Sequence, residues 1–354
     1  MKKAAFLLAI LISFSSCDFK SKRYASTGTA VTGRIGEILV VCDKDLWEGE
    51  LKACLDSNLT QFIMPYFPDV ATFELIHKTP KHFTQGVKRY RNALFLNVDQ
   101  DFKGERGEIT KRMGVWATDQ LVVEVTANSY NQLVETCQQG LPTVHEEFDR
   151  IEWERILKYY SFQPNIAIDK RLKSSFGIKV ALPDGAKVVT SRKNFYRVEF
   201  PTAARPISFV GSGKEDMGTI FSGLMIYQYD YKDTSQLELS SLLSARDTML
   251  KYNVPYSTIE GMYMGTQYVK MVYPEMNKGK NASEKLSGIE MRGMFKFLGK
   301  KQFGPGGAFW AFHFINPKTK KLICVSGYVD APSTASWTQP LREVQAILKS
   351  IEIL

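Results

Sequence analysis

Residues 290–309 read EMRGMFKFLGKKQFGPGGAF, the stretch of the chain with the most chemistry in it. Glu290 and Arg292 are two residues apart, so on a strand both side chains leave the same face. There they can pair with each other, or Arg292 can present its planar fork of donors to a ligand carboxylate. Gly304, Gly306 and Gly307 can turn backbone amides towards an anion. The competing and preferred reading is a hairpin, in which the glycines supply positive φ and Pro305 fixes the turn. His313 alternates with Phe312 and Phe314 in FWAFHFI, so it points to the opposite face, as a half-exposed sheet histidine. Glu290, Arg292, Gly306, Gly307 and His313 form the candidate ligand-binding set.

The familiar catalytic templates fail on residue type or spacing. The chain has 4 histidines. HEEFD (145–149) has Asp149 where a zinc-protease helix needs its second histidine, so His145 and Asp149 make a poor metal site. No GxSxG elbow occurs. GSGKEDMG (211–218) imitates a phosphate loop, but Ser208 stands where the first glycine is required and Glu215 where Ser or Thr is required. It reads as a flexible turn. No CxxC occurs, so neither zinc nor a thioredoxin-like site is expected. A nucleophilic Cys-His pair distant in sequence stays open. With 37 acidic residues, carboxylate pairs are too frequent to argue from. No catalytic residue, metal ligand or cofactor is assigned, and the reading leans against an enzyme.

One chemical site is expected outside that region. Lys2 and Lys3 precede a short apolar run, Ala4 to Ile12, followed by FSSC (14–17). That run is too short to span a bilayer, which takes about 20 residues, so it reads as a cleaved signal over residues 1–16. The end of the signal resembles a bacterial lipobox, with Phe14 in place of the usual leucine. Cys17 is therefore the expected lipidation site. Several acyl chains, each contributing about 0.8 kcal/mol per buried methylene, anchor a protein firmly. The residues after Cys17 are basic, where surface-exported lipoproteins tend to be acidic. The expected address is thus the cell envelope, on the outer membrane and facing the periplasm. Residues 17–32 form the tether, with YASTGTAVT as its flexible part.

Four cysteines remain: Cys42, Cys54, Cys137 and Cys324. Each lies in an apolar segment and reads either as a small core residue or as half of a disulfide. The 354 residues, 44% hydrophobic and 23% charged, are those of a globular chain. The formal charge of +9 is scattered without a basic run, so a solvated surface is preferred over a lipid- or glycan-binding patch, and nucleic acid is not implied.

Residues 33–160 read as an α/β or α+β unit. Strands are expected at Glu37–Cys42, Ala71–His77, Ala93–Val98 and Leu121–Ala127. A helix is expected over Leu46–Leu59, opened by Asp45 and Glu48. A long helical stretch from a Ser129 cap to Tyr160 should break near Gly140-Leu141-Pro142. Residues 170–354 read as an antiparallel α+β unit. Expected there are a hairpin Val180–Leu182/Lys187–Thr190 about Pro183-Asp184-Gly185, strands Phe195–Phe200 and Gly223–Tyr231, and a helix Leu237–Tyr252. Strands Tyr263–Tyr273, Ile289–Leu298, Phe309–Ile315 and Leu322–Val329 follow, then a terminal helix Leu341–Ile353. The fold class is α+β, with mixed, largely antiparallel sheets packed by helices. The C-terminal half is similar in element order to the PsbP/Mog1-like fold.

GRIGEILVVCDKDLW (33–47), DQLVVEVTA (119–127), ARDTMLKYNV (245–254), MYMGTQ (262–267), EMRGMF (290–295), GPGGAFWAF (304–312) and GYVDAP (327–332) occur together and in order. As a set they resemble a family of Bacteroidetes envelope lipoproteins that carry a domain of unknown function. IMPYFPDVATF (63–73) fits that family's pattern only loosely. The resemblance implies a lipid anchor and one continuous unit, and it brings no activity.

The expected function is a membrane-anchored envelope lipoprotein that binds or scaffolds a partner protein without catalysis. The alternatives are a periplasmic glycan or small-anion binder, for which the aromatic content offers stacking faces, and an unrecognised hydrolase. Glu290, Arg292 and His313 gathered in an open cleft would favour the alternatives. The same residues facing a packed helix would favour the first reading.

Overall fold

The computed structural model describes residues 20–23, 28–208, 215–256, 259–299, 306–333 and 335–354. The signal, residues 17–19 (Cys17 included) and 24–27 of the tether, Gly304 and Pro305 lie outside the described residues, as do residues 211–214 of the expected 211–218 turn, whereas Glu215 to Gly218 are strand rather than turn.

The first sheet is built from β1 (Lys20–Arg23), β2 (Glu37–Val41), β3 (Glu74–Lys78), β4 (Asn92–Val98), β5 (Glu108–Met113) and β6 (Leu121–Ala127), in the order β1-β5-β6-β4-β2-β3. Strands β3, β2, β4 and β6 run parallel, and β5 is antiparallel to β6. The continuous apolar runs of β2, β4 and β6 suit strands covered by helices. α1 (Gly49–Leu59) and α2 (Tyr130–Tyr160) pack on this sheet around Leu55, Leu94, Val123, Cys137 and Phe148.

The start of α1 differs from expectation. Lys44–Leu46 form a single 3-10 turn, and the α-helix begins only at Gly49, after an extended Glu48. α2 does not break at Pro142. The helix is continuous over 31 residues, with Ser129 Oγ accepting from the Gln132 amide at 3.4 Å. An internal proline costs about 3 kcal/mol through a lost bond and a ring clash. Burial of Leu133, Cys137, Leu141, Val144 and Phe148 along the same face offsets it. Gly140 has its own reason to be small: a Cβ there would lie 2.1 Å from Ile109 of β5.

After α3 (Ile166–Phe176), which hydropathy alone does not announce, comes β7 (Ile178–Lys179). The expected hairpin about Pro183-Asp184-Gly185 is not the observed one. β7 pairs instead with the terminal β17 (Glu352–Ile353), and β8 (Lys187–Arg192) pairs with β9 (Phe195–Glu199). Gly185 does turn the chain, at φ +73°.

The second sheet adds β10 (Ala203–Ser208), β11 (Glu215–Asp230), β12 (Tyr263–Thr266), β13 (Glu275–Lys280), β14 (Ser287–Leu298), β15 (Gly306–Asn316) and β16 (Lys321–Asp330). Its main order is β12-β14-β15-β16-β11-β9-β8, antiparallel throughout. The expected strand Tyr263–Tyr273 stops at Thr266, and Lys270–Val272 form a 3-10 turn. The helices are α4 (Leu239–Asn253) and α5 (Thr338–Lys349), the latter ending before β17 rather than running to Ile353.

α4 covers one face of this sheet, over Met225, Tyr227, Met291, Phe309 and Cys324. α5 covers the other, over Ala308, Phe312, Ile323 and Val325. The α5 core also takes in Ile63, Tyr66, Val70, Ile156 and Tyr160 from the N-terminal half. The chain is α+β: two mixed or antiparallel sheets joined by a shared apolar core. Among the described residues no helix is long and apolar enough to cross a membrane. The four described cysteines are buried free thiols.

Candidate functional site

The structure separates the candidate set. Glu290 and Arg292 lie on the α5 face of β14, half-buried. Glu290 accepts from the indole Nε1 of Trp310 at 3.3 Å and pairs with Lys349 of α5 at 3.4 Å. Its ion-pair partner is therefore Lys349 and not Arg292. The Arg292 guanidinium lies 5.3 Å from the centre of the Trp310 ring.

His313 is on the opposite face, beneath α4. It is 1% exposed, where a half-exposed side chain was expected. In the ladders it stands beside Cys324, which stands beside Tyr227, so the three form a row across β15, β16 and β11. Among the described residues neither ring nitrogen finds a hydrogen bond of normal geometry. Burial first, then the charge of Arg246, push its pKa down to about 3. A neutral imidazole sealed in that way neither binds a ligand nor moves protons near neutral pH.

Gly306 and Gly307 open β15. A Cβ at Gly306 would lie 2.6 Å from the Phe295 carbonyl oxygen, and one at Gly307 would lie 2.0 Å from that of Val329. Close backbone approach is what these two positions require.

The other motif residues are likewise engaged. His145 Nε2 lies 3.1 Å from the Thr72 hydroxyl, and Asp149 pairs with Arg342 at 2.6 Å. No group of three or more metal-ligating side chains gathers among the described residues.

What the fold does assemble is a cavity of about 710 Å³ at the end of the second sheet. Its walls come from both halves: Phe67 from the loop between α1 and β3, Phe221 from β11, Tyr256 from the end of α4, Met294 from β14, and Trp337 just before α5. Gly306 is the one member of the candidate set that reaches it. Phe67 and Phe221 are 56% and 51% exposed, so the rim is apolar and open to solvent. Asp330, at the end of β16, is the only charged side chain among the described walls. It stands directly between Phe221 on β11 and Gly307 on β15. Desolvation alone raises its carboxyl pKa to about 6.

A second cavity of about 610 Å³ lies between residues 28–35 and the end of α2. Its charged residues are engaged: Arg155 with Glu152 at 2.7 Å, Arg91 with the same carboxylate at 2.9 Å, Lys158 with Asp119 at 2.5 Å, and Glu343 with the Gln339 amide at 3.1 Å. The first cavity is the better site, because its carboxyl has no such match among the described residues.

Asp330 and the rim aromatics were not singled out from sequence. Asp330 sits in GYVDAP, where an apolar strand ends on one acid before a proline, and Phe67 sits in the repeated aromatic-proline pattern of MPYFP. Those are the signals available, and only the fold brings them together.

Comparison with known proteins gives no activity. No curated protein matches the chain. Half of the chain is similar to the Saccharomyces cerevisiae Ran-binding protein Mog1p, at 8% identity and a TM-score of 0.30, covering 90% of that protein. Residues 31–161 match one domain of unknown function, DUF8532, and residues 165–350 match another, DUF4837. The second match takes in the sheet, α4, α5 and most of the cavity wall, and on it the chain belongs to the family defined by the domain of unknown function DUF4837.

Proposed function

We propose that the protein is an envelope lipoprotein, anchored through Cys17, that binds a partner protein at the aromatic-rimmed cavity and carries out no catalysis of its own. One observation carries the binding part. The cavity is walled by both halves of the chain and presents two large exposed aromatic side chains, Phe67 and Phe221, at its mouth. Exposed aromatics around a concave surface are the usual anchors of protein recognition. The engagement of Glu290 with Lys349 and the burial of His313 under α4 favour this reading over a hydrolase built on those residues. A carboxyl in the cavity also disfavours a small anion as the ligand.

The anchor rests on the sequence of residues 2–17, with two lysines, an apolar run and FSSC. The residues of the tether are basic, which suits an outer-membrane anchor facing the periplasm.

The test is a cross-linked capture from envelopes of the native host, with Phe67→Ala and Phe221→Ala variants beside the wild type. A partner held in stoichiometric amount by the wild type and lost from both variants supports the reading. Equal capture by all three places binding elsewhere. Labelled palmitate incorporated by the wild type and absent from Cys17→Ala reports the anchor separately.

A further inference from the structure

We infer that the cavity takes a cationic side chain, a lysine or arginine of the partner protein, with Asp330 as its counter-ion and the surrounding aromatic rings as its walls. The inference rests on the partner-binding reading above and names the chemistry of that site.

Charge is the first argument. Asp330 lies half-buried at the end of β16. The ion pairs nearest along the sheet leave it out: Arg197 of β9 pairs with Glu199 at 2.7 Å and also reaches the Tyr328 hydroxyl at 3.2 Å. Loss of water holds the Asp330 carboxyl above the ordinary carboxylate range, at about 6. A carboxylate that has lost water and gained no ion-pair partner among the described residues offers a place for a cation.

The walls are the second argument. Phe221 is the direct cross-strand neighbour of Asp330, and side chains so placed have Cβ atoms about 5 Å apart. On the other flank the neighbour is Gly307, which carries no side chain to cover the carboxyl. Tyr256 lies against Phe297, ring centres 4.5 Å apart, and Trp337 is buried with its indole Nε1 donating to the Pro332 carbonyl at 3.1 Å. These two rings are held in place before anything binds. Aromatic faces attract ammonium and guanidinium groups, and more strongly once water is excluded.

Shape is the third. The methylene stem of Lys or Arg is apolar along its length and charged only at its tip. That matches a cavity with an apolar rim at Phe67, Phe221 and Met294 and a single acid within. A free inorganic cation would find one carboxylate among walls that also carry Phe67, Phe221, Tyr256 and Trp337, whose faces suit an organic cation better.

The experiment uses the full-length protein without its signal and three acetylated, amidated tripeptides: Gly-Lys-Gly, Gly-Arg-Gly and Gly-norleucine-Gly. Binding is read by calorimetry at pH 7.5 for the wild type and Asp330→Asn. The expected result is saturable binding of the Lys or Arg peptide, weakened about tenfold by Asp330→Asn, with the norleucine peptide no tighter than that variant. Thermal unfolding of Asp330→Asn at or above the wild-type temperature verifies that it is folded. Norleucine binding as tight as lysine, no loss in Asp330→Asn, or no binding of either cationic peptide overturns the inference. The two readings fail separately. A partner lost on Phe67→Ala with no cationic-peptide binding keeps the docking surface and removes the cation. Peptide binding that needs Asp330, without any captured partner, keeps the cation subsite and removes the proposed role.

Discussion

Arg342 of α5 crosses from the C-terminal half to grip the N-terminal half at two points: its Nη1 pairs with Asp149 of α2 at 2.6 Å, and its Nε donates to the Thr72 carbonyl oxygen at 2.9 Å. The guanidinium also lies 4.0 Å from the centre of the Phe73 ring, and the residue is 2% exposed. Its neighbour in the same helix turn, Thr338, donates to the Ala71 carbonyl at 3.0 Å. These bonds hold the loop that carries Phe67 against the sheet that carries Asp330. Arg342→Ala leaves the Thr72 carbonyl without its donor and Asp149 with only the neutral Gln345 amide, at 3.2 Å, and should cost about 3 kcal/mol or more in urea unfolding. It should also weaken binding at the cavity, although Arg342 is not among its walls. Unchanged stability would mean that the halves are held by their shared apolar core alone.

His313 and Asp330 tie stability to pH in opposite senses. His313 falls from 6.5 to about 3 on folding, under burial and the Arg246 charge, with Tyr227, Cys324 and the Ile289 backbone around it. Between those two pH values the unfolded chain binds a proton at His313 that the folded chain does not. Stability is therefore lost as pH falls through that window, by up to about 1.4 kcal/mol per pH unit. Asp330 rises from 3.8 to about 6, beside Tyr328 and with Arg197 already held by Glu199. There the folded chain holds the extra proton, so its contribution grows as pH falls. The two effects oppose each other over the shared range. Denaturant midpoints from pH 3.5 to 8 should flatten at the acid end in His313→Phe and fall more steeply in Asp330→Asn. Parallel curves for all three proteins would sink the assignment.

Arg246 separates shape from charge. It is 0% exposed, its guanidinium carbon lies 3.6 Å from the centre of the Phe309 ring, and its Nη1 donates to Ser326 at 2.9 Å. Its Nε and Nη2 have no hydrogen-bond partner among the described residues. A buried cation with so few bonds contributes through its volume, since replacing buried charge by an apolar group of like size is often neutral. Arg246→Met should stay within about 1 kcal/mol of wild type, whereas Arg246→Ala, which opens a cavity, should cost about 3 kcal/mol. Equal losses for Met and Ala would show that the charge itself is needed.

The sequence was legible where one element answers to one pattern. β2, β4 and β6 are strongly apolar strands, and their pattern locates them within a residue at most ends. β5 was not seen, because EITKRM is half-buried at every position and has no alternation to read. Pro142 marked a helix end that packing overrode. Ile178–Lys179 pair with residues 352–353, a partner that no local pattern announces. The site fared worse for the same reason. Glu290 and Arg292 have the spacing of a site, yet Lys349 and Trp310 occupy them from elsewhere in the chain. Asp330 has no suggestive neighbour in sequence, and its chemistry arises from Phe67, Phe221 and Trp337 arriving from three other segments.

Glu152 gives the sharpest test of the N-terminal half. It is 0% exposed, and its Oε1 accepts from Arg91 at 2.9 Å, Asn92 at 2.7 Å and Arg155 at 2.7 Å. Arg155 also donates to the carbonyls of Asp119 and Arg91, so one carboxylate fixes the strand starts of β4 and β6 to α2. Burial lowers the Arg155 pKa to about 10, against the pull of Glu152 in the other direction. Two guanidinium groups thus share one negative charge. Arg91→Met leaves the Arg155–Glu152 pair balanced and removes a single bond. Glu152→Gln leaves two cations facing each other out of water, so it should cost about 3–5 kcal/mol, and more than Arg91→Met. Urea unfolding of both variants decides the order. A larger loss for Arg91→Met would mean that the bond to Arg91 outweighs the charge balance.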